Sequence, residues 1–75
     1  MPAETHLDAG LSRAIVRIRD ARRRGGMSLA DVAESSGLTR AAISRLENGR
    51  NLNPTFDTLR RYAVACGLEL RLVAG

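Results

Sequence analysis

The basic side chains of this chain are all arginines. Twelve of them stand against eight acidic side chains in 75 residues, which gives a net charge of +4. The guanidinium group is planar and donates paired hydrogen bonds, so it suits phosphate oxygens and the O6 and N7 atoms of guanine. A small basic domain is therefore a candidate for binding a polyanion such as nucleic acid, although many basic domains bind none.

Two of the arginines share one short segment, TRAAISRLENG, at residues 39–49. Thr39 is a typical helix N-cap, which places Arg40 in the first turn of the following helix and Arg45 about one turn later. Two guanidinium groups on one short helix could reach base edges or phosphates together.

Other kinds of chemistry find little support in the composition. One cysteine, Cys66, and one histidine, His6, cannot supply the four ligands of a zinc site, and a single cysteine cannot form a disulfide within the chain. His6 lies in the N-terminal lead-in, so no nucleophile has a base beside it. We therefore predict no metal, no cofactor and no enzymatic activity.

The sequence also bears on location. It has no run of 18 apolar residues, and MPAETHLDAG lacks the basic-then-apolar pattern of a signal peptide. A single cysteine is typical of a reducing compartment. These features predict a cytoplasmic protein without a membrane partner.

Apolar side chains at helical spacing, bounded by capping residues and glycines, predict four helices. The expected N-caps are Asp8, Ser28, Thr39 and Thr55. The expected ends are Gly25–Gly26, Gly37, the sequence ENG at residues 47–49, and Gly67. The side chains expected to face inward are Leu11, Ala14, Ile15, Ile18, Ala21, Leu29, Val32, Ala33, Ile43, Leu46, Phe56, Leu59, Ala63 and Cys66, flanked by Tyr62 and Val64.

The C-terminal segment LELRLVA changes to a period of two, which predicts a β-strand within residues 68–75. A lone strand leaves its backbone groups unpaired, so we expect it to pair with the same strand of a second copy. Antiparallel pairing centred on Leu70 would place Glu69 opposite Arg71 and Leu68 opposite Leu72, which together form the predicted dimer interface.

The stretch MSLADVAESSGLTRAAISRLENGR, followed by NPTFDTLRRYAVACGLEL, resembles the Xre family of Cro- and repressor-type helix-turn-helix proteins. Ala33, Gly37, the ISRLENG close and the NPT cap occur in order and at the family's spacing, and the resemblance covers residues 15–68. It implies an all-α, four-helix domain whose second short helix lies in the DNA major groove. The strand tail is similar to that of HipB- and HigA-type antitoxins, and in the HipB type such strands pair across the dimer.

The sequence departs from the family pattern at three places. Leu29 stands where the family usually has a glutamine that touches a phosphate and braces the second short helix. The RNLNP loop, residues 50–54, is one residue longer than is common, and the strand tail replaces the usual fifth helix.

The resemblance implies a set of DNA contacts: Ser28, Thr39, Arg40, Ala41, Ser44, Arg45, Asn48 and Arg50. We expect Arg40 to contact a base edge rather than to be only a solvated arginine, and we assign Arg45 to a phosphate. Ala41 either meets a thymine methyl group or is simply a helix former. Ser28 and Asn48 have capping as their alternative role.

Arg22 and Glu47 resemble a family pair that joins the first and third helices in a partly buried ion pair. The alternative is an exposed contact that contributes under about 1 kcal/mol.

These observations predict three segments: a flexible lead-in over residues 1–7, a helix-turn-helix domain over 8–67 and a dimerisation strand over 68–75. The predicted function is sequence-specific binding of double-stranded DNA at a palindromic operator, as a dimeric, nucleoid-associated regulator, most simply a repressor. Two alternatives stay open. One is an antitoxin that neutralises a toxin protein and represses its own operon, and the other is a protein-interaction module that has lost DNA binding.

Overall fold

The computed structural model describes residues 3–51 and 53–71, and within these ranges the chain is helical with four α-helices. They are α1 (Ala3–Arg24), α2 (Leu29–Ser36), α3 (Arg40–Glu47) and α4 (Phe56–Ala65). The four predicted helices are therefore present. Helix α2 packs against α3 and α4, and α1 packs against α3.

The predicted caps explain where three helices begin. The side chains of Ser28, Thr39 and Thr55 each accept a hydrogen bond from the backbone N–H three residues later, at 3.0 to 3.1 Å. Each bond satisfies one of the backbone donors that a helix N-terminus leaves without an intrahelical partner.

Helix α1 begins at Ala3 instead of at the predicted cap Asp8, so the predicted lead-in is helical from Ala3 onward. The segment AETHLDAG contains no proline, and Ala, Glu and Leu all have high helix propensity. Asp8 marks no boundary because residues before it continue the same helix.

The core forms where the apolar faces of the helices meet. Its buried side chains are Ile15, Ile18, Val32, Ile43, Leu46, Tyr62, Ala63 and Cys66. The prediction was wrong for Phe56, which is 40% exposed in the first turn of α4. Tyr62, which flanks the apolar side of α4 in the sequence and was predicted to be a core aromatic, is completely buried and is the largest side chain at the centre of the core.

Residues 68–71 follow α4 without forming a strand in the single chain. The Leu68 N–H donates to the Ala63 carbonyl at 2.9 Å. Leu68 and Leu70 are half-buried against the core while Glu69 and Arg71 are exposed, so burial alternates with the period seen in the sequence. The predicted strand pairing is thus not observed here, and Leu72 lies outside the described residues.

The helices of the described part of the chain include none that is both long enough and apolar enough to span a membrane.

Candidate nucleic-acid interface

A three-residue turn, residues 37–39, joins α2 to α3. Gly37 adopts a left-handed conformation with φ of +77°, and its N–H donates to the Ala33 carbonyl at 3.0 Å. The buried Ser36 hydroxyl accepts from the Leu38 N–H at 3.1 Å. A residue with a Cβ atom is strained at this φ, so glycine lets α2 end and the chain turn directly into α3.

Helix α3 has one buried face and one exposed face. Ile43 and Leu46 are completely buried and hold the helix on the core. On the other side Arg40, Ala41 and Arg45 are exposed, and Ser44 is half-buried. The two helices and their short turn define a helix-turn-helix whose second helix presents a basic, small-residue surface to solvent.

Two further predicted contact residues lie at the end of α3. The Asn48 side-chain amide donates to the Ser44 hydroxyl at 3.2 Å, which leaves the Ser44 hydroxyl hydrogen free to donate elsewhere. Arg50 is exposed, and its N–H donates to the Arg45 carbonyl at 2.8 Å. These contacts extend the exposed polar surface of α3 beyond Glu47.

The N-terminus of α2 has a complete capping box. The Ser28 N–H donates to the Asp31 carboxylate at 2.8 Å, and the Asp31 N–H donates to the Ser28 hydroxyl at 3.0 Å. The hydrogen bond from the Ser28 backbone lowers the pKa of Asp31, which therefore stays ionised. Because the Ser28 N–H is already bonded, the group of Ser28 that is left to donate to a phosphate at this helix end is its hydroxyl. That hydroxyl lies beside the negative carboxylate of Asp31.

Leu29, which stands at the family's glutamine position, is half-buried and packs against the core. Its side chain stabilises α2 by burial and offers no hydrogen bond to a phosphate.

Arg22 and Glu47 form a bidentate ion pair between α1 and α3. Arg22 donates from Nε and Nη2 to the two carboxylate oxygens of Glu47, both at 2.7 Å. The side chains are only 12% and 8% exposed. Arg22 also donates from Nη1 to the Met27 carbonyl at 2.9 Å, just before the cap of α2.

Sequence reasoning missed a third member of this cluster. The Tyr62 hydroxyl donates to Glu47 Oε2 at 2.7 Å, which links α4 to the end of α3. A buried tyrosine hydroxyl needs a hydrogen-bond partner, and that requirement was the available signal once Tyr62 was placed in the core. The position of the partner 15 residues away along the chain was not visible in the pattern.

The cluster shifts the pKa values of its members. Burial by itself raises the pKa of Glu47, but the hydrogen bonds from Arg22 and Tyr62 and the charge of Arg22 outweigh burial and leave the pKa below its ordinary value. Burial, followed by the bond to Glu47, raises the pKa of Tyr62. Glu47 is therefore an acceptor and Tyr62 a donor at neutral pH.

The described residues contain no group of three or more histidine, cysteine, aspartate or glutamate side chains that could hold a metal ion. Cys66 is buried in the core, and burial raises the pKa of its thiol.

The fold and this exposed helix define a class, that of helix-turn-helix DNA-binding proteins. The helix-turn-helix family profile matches residues 18–73, so this chain belongs to that family, of the Xre and Cro/C1 type. The resemblance recognised in the sequence is confirmed.

A more particular similarity is to a protein of Mycobacterium tuberculosis named "Putative antitoxin HigA3". The two are 39% identical over 67 residues, which cover 89% of this chain and 60% of that protein. The chain thus spans less than two thirds of the relative's length. No solved structure gives a significant match to this chain.

Proposed function

We propose that this chain is a cytoplasmic, nucleoid-associated regulator that binds double-stranded DNA sequence-specifically, as a dimer, and represses transcription. The observation that carries the proposal is the exposure of Arg40, Ala41 and Arg45 on a helix whose opposite face is completely buried. A helix held in this way presents its N-terminal side chains to the major groove, where arginine recognises guanine.

The proposal assigns two kinds of contact to the exposed surface. Arg40, in the first turn of α3, contacts a base edge, and Ala41 beside it is small enough to let the helix approach a thymine methyl group. Phosphate contacts come from Ser28, Thr39, Ser44, Arg45, Asn48 and Arg50. The phosphate contacts set affinity and its salt dependence, while the base contact sets specificity.

The first experiment measures binding to the DNA upstream of the chain's own gene by fluorescence anisotropy over a salt series, with a random duplex as reference. Arg40→Ala should lose about 1–3 kcal/mol more of its binding free energy on the specific duplex than on the random one. Arg45→Ala should weaken binding to both duplexes and reduce the slope of log affinity against log salt concentration by about 1. Arg13→Ala, an exposed arginine on α1, removes the same charge and is the matched control.

Two results would contradict the proposal. If wild type binds the upstream duplex no better than random DNA even at low salt, and a duplex selected from a random library does no better, the chain is a protein-interaction module. If Arg13→Ala and Arg40→Ala have the same effect, the arginines contribute only through net charge.

The proposed dimer forms through the C-terminal tail. Half-buried Leu68 and Leu70 alternate with exposed Glu69 and Arg71. This alternation supports the proposed tail pairing, because a strand that pairs with a second copy also keeps one apolar face on the core. In the single chain Arg71 Nε lies 3.3 Å from Glu69 Oε1, and antiparallel pairing would exchange this contact for two cross-strand pairs. A twofold dimer of this kind binds a palindromic operator with half-sites about one helical turn apart.

Charge exchange in the full chain tests the dimer. Glu69→Arg alone places like charges opposite each other and should weaken the dimer in sedimentation equilibrium. Adding Arg71→Glu to the same chain should restore it, because the cross-strand pairs are re-formed in reverse. If the single and double variants dimerise as well as wild type, the tail does not form the interface.

A second candidate function is that of an antitoxin, which the similarity to the HigA3 protein favours. The chain would then bind a toxin protein as well as its own operator. Co-expression with the product of a neighbouring gene should yield a stoichiometric complex and relieve any growth arrest which that product causes alone. A neighbouring product that neither arrests growth nor binds this chain would remove this candidate.

A further inference from the structure

The hydrogen bonds to Glu47 fix the end of α3 from two directions. Arg22 on α1 contributes two donors and Tyr62 on α4 contributes one, all at 2.7 Å. Because Arg22 also holds the Met27 carbonyl, the same cluster reaches the residue that precedes the cap of α2. Both DNA-facing parts of the helix-turn-helix are thus connected to one carboxylate.

Apolar packing alone constrains the orientation of α3 less tightly than the hydrogen bonds to Glu47 do. Ile43 and Leu46 are completely buried, but apolar contacts are non-directional and permit a small rotation or tilt of the helix. Hydrogen bonds weaken steeply with angle, so those to Glu47 set the orientation of α3 more narrowly.

A small tilt at Glu47 becomes a large displacement at the other end of α3. Arg40 lies seven residues before Glu47, which corresponds to roughly 10 Å along the helix axis. A tilt of about 10° about Glu47 would move the Arg40 end by about 2 Å, which exceeds the tolerance of a hydrogen bond to a base edge. A flexible arginine or serine can still reach a phosphate after such a shift, because phosphate attraction acts over a longer range.

We propose that Tyr62 is a positioning residue for base recognition: its hydroxyl acts through Glu47 to orient α3, and so sets sequence discrimination without touching DNA. Tyr62 is completely buried, and its hydroxyl bonds the same carboxylate oxygen, Oε2, that accepts from Arg22 Nε. Removing the hydroxyl leaves the Arg22–Glu47 pair but releases its restraint from α4. This inference rests on the proposed DNA-binding function.

The test compares full-length wild type and Tyr62→Phe on two probes. One is the duplex that the wild-type chain recovers from a randomised DNA library, and the other is a duplex of random sequence. Tyr62→Phe should lower affinity for the selected duplex about tenfold, within the range that one mismatched base pair costs, and affinity for the random duplex less than about twofold. Single base substitutions at the position recognised by Arg40 should also discriminate less in the variant.

A matched control separates positioning from stability. Ile18→Val removes one methylene from a buried α1 residue and leaves every hydrogen bond to Glu47 in place. It should shift the urea midpoint without changing the ratio of selected to random affinity. Both variants are assayed at a temperature where wild type and Ile18→Val are fully folded.

Each outcome decides the matter. An unchanged ratio in Tyr62→Phe, an equal fall on both duplexes, or a Tyr62→Phe chain that is unfolded at the assay temperature would reduce Tyr62 to a structural role. If wild type recovers no duplex from the library, the proposed function fails together with this inference. If wild type recovers one and only the Tyr62→Phe result is negative, this inference alone fails.

Discussion

The coupling energy between Arg22 and Glu47 is the most direct test of how α3 is held. We consider the variants Arg22→Met, Glu47→Met and their combination, since methionine keeps an unbranched side chain and removes the charge. Glu47→Met removes the acceptor of two Arg22 donors, keeps the Arg22 bond to the Met27 carbonyl, and leaves the Tyr62 hydroxyl without Glu47 as its acceptor. The orphaned Tyr62 hydroxyl is present in both the single and the double variant, so its cost cancels in the coupling energy.

The magnitude follows from the geometry of the pair. The two hydrogen bonds are short and charge-assisted, and the side chains are 12% and 8% exposed. Breaking such a pair from one side costs about 3 kcal/mol or somewhat more, because a charge is left buried without its partner. We expect a coupling energy of about 2 kcal/mol, a large fraction of the roughly 4–11 kcal/mol that a domain of this size possesses.

The assay is urea unfolding at pH 7, followed by circular dichroism at 222 nm. Asp57 and Arg60 provide a matched control within the same chain, because they form an ion pair at 2.8 Å whose side chains are 56% and 49% exposed. The double-mutant cycle of Asp57 and Arg60 should give a coupling energy indistinguishable from zero, since solvent screens exposed ion pairs. A coupling below about 0.5 kcal/mol for Arg22 and Glu47 would refute the reasoning, because independent sites already reach that value.

Three further predictions concern stability. The stability that ionised Glu47 contributes should be complete above the pKa of an unfolded glutamate, about 4.3, and should be lost as the pH falls through the lower folded pKa. The gap between the urea midpoints of wild type and Glu47→Met should therefore narrow on acidification, and a gap that stays constant would contradict this. Gly37→Ala should lower the free energy of unfolding by about 1–2 kcal/mol, because the φ of Gly37 is +77°. Gly10→Ala should raise it by up to about 1 kcal/mol, because Gly10 lies inside α1 with open space at the Cβ position. Melting temperatures that shift in the same direction for both variants would rule out this backbone explanation. Thr55→Ala should lower the free energy of unfolding by about 1 kcal/mol because it removes the cap of α4, and Thr55→Ser should recover most of this loss. Equal urea midpoints for the two variants would show that the cap contributes nothing.

The helix boundaries were largely predictable because their causes are local. Ser28, Thr39 and Thr55 cap helices by bonds that span three residues, and Gly37 ends one by its own φ. Where local signals were weak the prediction failed. Asp8 resembles a cap, but the residues before it favour a helix equally well, so α1 starts earlier at Ala3.

Burial was predictable where helical spacing continued on both sides and less so at the ends of helices. Ile43 and Leu46 follow directly from the spacing in α3, and both are completely buried. Phe56 continues the apolar face of α4 in the sequence, yet it is 40% exposed. The spacing identifies which face of a helix is apolar, but not how far along that face its neighbours extend.

The sequence by itself determined four helices, the caps of three of them and the class of protein, because capping, helical periodicity and motif spacing act over a few residues. Only the tertiary structure decided that the Tyr62 hydroxyl donates to Glu47 across 15 residues. It also decided that Arg22 reaches Glu47 with two donors, Nε and Nη2, across 25 residues. The resemblance implied the Arg22–Glu47 pair but neither its geometry nor its third member. Such contacts depend on where packing places three separate helices, and no spacing along a single element encodes that arrangement.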